Sequence, residues 1–177
     1  MIFLKIKTFI LIIIALIILS LVKIKNDKLT IPQEAIRIRI VANSDSSIDI
    51  KEKIKVKEKV EKEIYSLIKD VKNIDEARNI INTNLENLDV VISDTTDLNY
   101  DFSFGPNYFP RKVYKGVIYD EGIYESLVIT LGDGVGDNWW CILFPPLCLL
   151  DENEYTDDVE YAFYVEELIK KYQDKAS

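Results

Sequence analysis

The chain holds two cysteines, Cys141 and Cys148, and they flank a Pro145-Pro146 corner. A pair seven residues apart around a rigid corner can close as a disulfide in an oxidising compartment, or stay as two buried thiols. A catalytic thiol would need an activating base, and the chain contains no histidine. Cys-His and Ser-His-Asp catalysis in their usual forms are thereby excluded, as is a typical histidine-ligated zinc site. Two cysteines cannot make a four-cysteine metal site either. Gly132-x-Gly134-x-Gly136 superficially suggests phosphate binding. A phosphate loop must open a helix, however, and an aromatic, strand-like run follows this one. The glycines read better as a hairpin turn that needs positive φ. Asp133, Asp137 and Asn138 offer oxygens to calcium, but their spacing is not that of an EF-hand loop. Asp157-Asp158 and Glu166-Glu167 are neighbours that diverge on a helix and make no glycosidase pair. No cofactor and no metal are expected.

Trp139 and Trp140 carry a geometric signal. Adjacent residues on a strand point to opposite faces. Trp140, Ile142 and Phe144 make the bulkier, wholly apolar set. Trp140 is therefore expected in the core and Trp139 on an exposed contact face, where a tryptophan is a common anchor.

The elements that must hold these residues follow from periodicity. Ile36, Ile38 and Ile40 alternate with Arg37 and Arg39, which predicts a half-buried strand over Ala35–Ala42. Ser46 and Asp49 resemble a capping box for a helix over 48–71. Its stripe is Ile50, Ile54, Val60, Ile64, Leu67, Ile68 and Val71. The alternating lysines from Lys51 to Lys59 scatter around that cylinder and read as a solvated face. Asn73 can cap a second helix with Ala77, Ile80, Ile81, Leu85 and Leu88 inward. Leu98, Tyr100, Phe102 and Phe104 alternate as a strand that Gly105-Pro106-Asn107 breaks. Tyr124–Leu131 and the Trp-Trp run give two more strands, and a helix over 156–172 closes the chain. The expectation is an α+β single domain, order β-α-α-β-β-β-α, with an antiparallel or mixed sheet and about three helices.

An N-terminal hydrophobic segment precedes it. From Phe9 to Val22 only Ser20 is polar, and lysines flank the run on both sides. Its length suits a signal-peptide core better than a spanning helix of about 20 residues. Lys5 and Lys7 could snorkel and extend it into an uncleaved anchor. Residues 1–25 are thus read as signal peptide or membrane anchor, 26–35 as linker and 36–177 as an exported domain. Beyond the first 28 residues the chain carries 17 basic and 29 acidic residues, near −12. That charge argues against nucleic acid and anionic lipid headgroups as main partners.

The runs Ile36–Asp45, Asn107–Tyr114, Gly122–Glu125 and Gly132–Cys148 together resemble the stage II sporulation protein R family, NWWCILFPPLC most distinctively. The likeness covers about Ile36 to Asp151. Lys112 and Lys115 depart from it modestly, and the tail after Asp151 matches no pattern. The resemblance implies a signal protein made in the forespore and exported to the space between forespore and mother-cell membranes. There it would activate a membrane-bound aspartic peptidase that processes the precursor of sporulation sigma factor E. It implies no catalytic residues, so the chain is expected not to be an enzyme. The candidate partner contacts are Trp139, Tyr108, Phe109, Pro145 and Pro146. The competing reading is an extracytoplasmic cell-wall hydrolase using carboxylates, and a third is a membrane-anchored structural protein.

The cysteine pair gives a first test. A loop this short, once bridged, is expected to add about 2–3 kcal/mol of stability. Mass spectrometry of protein isolated without reductant is expected to find Cys141 and Cys148 joined; two free thiols would make them a buried pair instead.

Overall fold

In the computed structural model, which describes Lys7 and residues 9–14, 29–147 and 158–173, the fold is arranged around one short strand. β1 (Ile36–Val41) carries IRIRIV. Its pleat sends Ile36, Ile38 and Ile40 to one face and Arg37, Arg39 and Val41 to the other. All three isoleucines are fully buried. The chain continues through α1 (Ser47–Ile68), α2 (Ile74–Thr83), α3 (Leu85–Ser93), β2 (Tyr100–Phe109), β3 (Lys112–Tyr114), β4 (Val117–Tyr119), β5 (Gly122–Leu131), β6 (Asn138–Phe144) and α4 (Asp158–Gln173). Four strands form one sheet in the order β2-β5-β1-β6, and β3 and β4 form a separate hairpin. β1 runs parallel to β5 and antiparallel to β6, while β2 runs antiparallel to β5. The result is the expected α+β domain with a mixed sheet.

One hydrophobic cluster joins the isoleucines of β1 to Val56, Val60, Ile64 and Ile68 of α1, Ala77 and Ile81 of α2, Leu88 and Ile92 of α3, and Leu127, Ile129 and Leu131 of β5. Val165 and Ile169 of α4 belong to it too, and the Tyr172 ring meets Phe144 edge-on at 4.7 Å. Burying residues of this size supplies the main stabilising term.

The structure corrects several expectations. The second helix is two, because Asn84 leaves helical angles (φ −113°, ψ 14°) and its side chain turns back to the Ile80 carbonyl at 2.8 Å. Among the described residues the domain therefore has four helices, in the order β-α-α-α-β-β-β-β-β-α. In α1 the buried stripe runs through Lys53 and Val56, and Ile54 is 44 % exposed. Gly105-Pro106-Asn107 does not break β2, which stays paired with β5 through Phe109 opposite Gly122. β2 is an edge strand, where the missing proline N–H removes no ladder bond. Residues 29–35 of the expected linker belong to the fold. The Ile118 N–H donates to Leu29 O at 2.8 Å, the Ile31 N–H to Ile118 O at 3.0 Å, and Ile31 and Ala35 are buried. Of the expected leader, residues 9–14 are helical and exposed; among the described residues no helix is long and apolar enough to cross a membrane.

The turn after β5 fixes how β6 reaches the sheet. Gly132 adopts φ +54°, and a Cβ there would stand 2.1 Å from Asn43 Oδ1. Gly132→Ala is expected to lower stability by about 1–3 kcal/mol through backbone strain and the displaced asparagine. Chemical denaturation checks this, and an unchanged midpoint would show that the turn tolerates a side chain.

Candidate partner-contact surface

The runs with the most chemistry in their residue types meet at one end of β1. The Asp133 N–H donates to Asn43 Oδ1 at 2.9 Å and the Asp137 N–H to Asp45 Oδ1 at 2.7 Å. The Val135 and Gly136 amides donate to the carbonyls of Asn43 and Ala42. Lys53, buried in α1, donates to the Asp137 carbonyl at 2.8 Å. Ser46 caps α1 by accepting from the Asp49 N–H at 3.1 Å. The Asp49 carboxylate turns instead to the Ser44 hydroxyl and to Asn43 Nδ2. The hydroxyl, first of all, holds Asp49 below the usual aspartate range. The glycine run is thus a turn whose Asp133 and Asp137 amides are taken by side chains, not a cradle open to phosphate. Among the described residues no group of three or more acids or cysteines is placed to hold a metal ion.

The two tryptophans lie on opposite faces, as alternation requires, but the roles expected of them do not hold. Trp139 pairs with Ile40 and Trp140 with Arg39. Trp139 therefore lies on the helix side, packed on the core, with Lys57 Nζ 5.1 Å from its ring centroid. Trp140 lies on the far side, where the Phe109 ring meets it edge-on at 5.0 Å. Both are half-buried. The expected core residue is thus half-buried like the expected anchor. The physical reason is that β6 is an edge strand flanked by packing groups on both faces.

The other sequence candidates separate. Phe109 is 0 % exposed and offers no surface to a partner in this state. Pro145 is buried, Pro146 is half-buried, and Cys148 lies outside the described residues. Cys141 sits opposite Ile38 on the Trp139 face, and no described cysteine is a free thiol. Tyr108 remains accessible, 55 % exposed. Directly opposite it on β5 stands Ile123, 59 % exposed, which the sequence reading missed. Both lie on the helix side of the sheet, past the point where Arg78 of α2 forks onto Glu125 (2.9 and 2.7 Å). Val113 and Tyr114 of the following hairpin are also exposed. The hairpin turns through Lys115 and Gly116, both at positive φ (44° and 75°), as a two-residue connection of this kind requires. Two apolar side chains in cross-strand register make a small projecting patch, the kind that marks contact sites. No periodicity announced it, because Ile123 precedes the segment in which the alternation of β5 is clear.

Arg37, expected on the open face of a half-buried strand, is 2 % exposed. Its guanidinium lies 4.1 Å from the Phe109 ring centroid and 4.6 Å from that of Tyr124. Burial pulls its pKa below the ordinary arginine value. A shallow groove lies between α3 and β2, lined by Leu85, Glu86, Asp89, Tyr100 and Phe102. Asp89 there accepts the Tyr100 hydroxyl at 2.7 Å, so it is engaged and not paired with Glu86 as an acid-base couple.

These features define an α+β domain whose chemically suggestive residues build its internal joints and whose exposed apolar pair faces outward. The family model of stage II sporulation protein R matches residues 32–154, and the chain belongs to that family. It is 43 % identical over 134 residues to "Stage II sporulation protein R" of Bacillus subtilis (strain 168), a match covering 73 % of this chain and 60 % of that relative. No solved structure matches.

The tryptophan placement is testable. Trp139→Ala and Trp140→Ala are each expected to lower stability by about 2–3 kcal/mol, short of the roughly 3–5 typical of a fully buried tryptophan. Urea unfolding measures both. A loss confined to Trp140 would restore the core-and-anchor assignment.

Proposed function

We propose that this chain is an exported signal of endospore formation that switches on a mother-cell membrane aspartic peptidase by contact, which then processes the precursor of sporulation sigma factor E. Family membership supports the sporulation role. The observation that carries the contact mechanism is the contrast between engaged and exposed groups. The side chains of Asn43, Asp45 and Asp49 and the backbone amides of the glycine turn are spent on hydrogen bonds inside the fold, while Tyr108 and Ile123 project in register from the sheet. The chain has no histidine, so the usual histidine-based catalytic sets are closed to it, which supports binding over turnover. The apolar, lysine-flanked leader supports export, and so does the cysteine pair, read here as a Cys141–Cys148 bridge.

The test is to add the purified full chain, in detergent, to membranes carrying the peptidase and the sigma factor E precursor. Processing is expected. The double variant Tyr108→Ala, Ile123→Ser is expected to need about tenfold more protein or greater for the same processing, as loss of anchor residues implies. Its unfolding midpoint should stay near that of the parent. No processing by the parent chain would overturn the reading, and release of wall fragments from peptidoglycan would replace it with a hydrolase.

A further inference from the structure

The chain has four arginines, and they fall into two kinds. Arg78 is paired with Glu125 and Asp75, and Arg111 with Asp120. Arg37 and Arg39 make no ion pair among the described residues. They sit on the same face of β1, two residues apart, so their Cα atoms stand about 6–7 Å from each other. Arg37 is 2 % exposed, yet its Nε and Nη1 have no hydrogen-bond partner, and neither has the buried Nε of Arg39.

The aromatic surroundings explain where the unused bonding capacity lies. A guanidinium offers its flat faces to rings and its N–H groups only in its own plane. Phe109, Tyr124 and Tyr119 stand 4.1, 4.6 and 5.8 Å from the Arg37 carbon, and Trp140 stands 5.4 Å from that of Arg39. Ring contacts leave in-plane donors unmatched. An unpaired buried cation is costly, and a planar fork of donors is what a carboxylate matches two bonds at a time. The protein has 30 acidic residues, so the lack of a carboxylate partner here is not a shortage of acid. Arg39 and Trp140 are both half-buried and give the way in.

We propose that Arg37 and Arg39, set among Phe109, Tyr124 and Trp140 on the sheet face opposite the helices, form a binding site for a carboxylate that comes from outside this domain. An acidic side chain of a protein and a small free organic acid share that chemistry. The site lies on the other side of the sheet from Tyr108 and Ile123, and it does not depend on the peptidase reading.

Trp140 provides the readout. The full chain in detergent is titrated, at constant ionic strength, with sodium succinate and with a blocked Glu-Gly-Glu peptide, and tryptophan fluorescence is followed. The Gln-Gly-Gln peptide and sodium chloride serve as controls. A saturable change with either carboxylate, absent with the controls, is expected. Saturation by the peptide alone identifies a protein side chain as the source, and saturation by succinate points to a free acid. Arg39→Gln is expected to weaken binding at least about tenfold, as loss of charge-assisted hydrogen bonds implies, while Arg111→Gln leaves it unchanged. If the glutamine variant does not fold, Arg39→Lys replaces it, and binding as tight as the parent's would overturn the assignment. No saturable response to either carboxylate, or an equal response in Arg39→Gln, would overturn it as well.

Discussion

The architecture depends on the hydrogen bonds between two side chains just past β1 and the backbone just before β6. Asn43 and Asp45 accept from the amides of Asp133 and Asp137. Those bonds seat β6 beside β1, and β1 is the strand that everything else flanks. The same segment launches α1, since Asn43 and Ser44 hold Asp49 while Ser46 caps the helix. Lys53 then ties that helix back to the Asp137 carbonyl. Asn43, Ser44 and Asp49 are half-buried and Lys53 is buried, and each is satisfied, which is the condition under which such a network orders a fold instead of weakening it. Close approach has a steric consequence as well. A Cβ at Gly136 would stand 2.4 Å from the Ser44 carbonyl oxygen, so glycine there lets the two backbones touch.

With β1 fixed, its two faces diverge. The isoleucine face is closed by helices and forms the apolar core. The arginine face holds cations among rings, with Phe109 touching Tyr124, Trp140 and Arg37 at once. A single strand thus supplies the dry side and the charged side of the sheet. Edge position governs the rest: β2 accommodates Pro106 because its outer side needs no ladder, and β6 leaves both tryptophans half-covered.

This division suits a protein that acts by touching another. The side chains of Asn43, Asp45, Ser46 and Asp49 are occupied in holding the turn and the helix start. Tyr108 and Ile123 stand accessible at another end of the sheet, with Val113 and Tyr114 exposed on the β3–β4 hairpin. The motif runs that mark the family are therefore largely the joints of its fold, and a contact surface can sit on residues that such runs do not single out.

Alternation and capping residues were enough to place β1, α1, the start of α2 and β5 from sequence, because period-two and helical apolar patterns are local properties of the chain. The absence of histidine bounded the chemistry, and NWWCILFPPLC with its companion runs identified the family. Tertiary structure decided what depends on neighbours distant in sequence. The break at Asn84 came from a side chain returning to its own helix, and the continuity of β2 through a proline came from its edge position. The exposure of Ile123 came from how far the helices reach across the sheet. Arg37 shows the limit most clearly. An arginine between isoleucines reads as the solvent side of a strand, and only the rings brought from β2, β4 and β5 turn that side into an interior. Burial is a property of the assembled neighbours, and no local pattern encodes it.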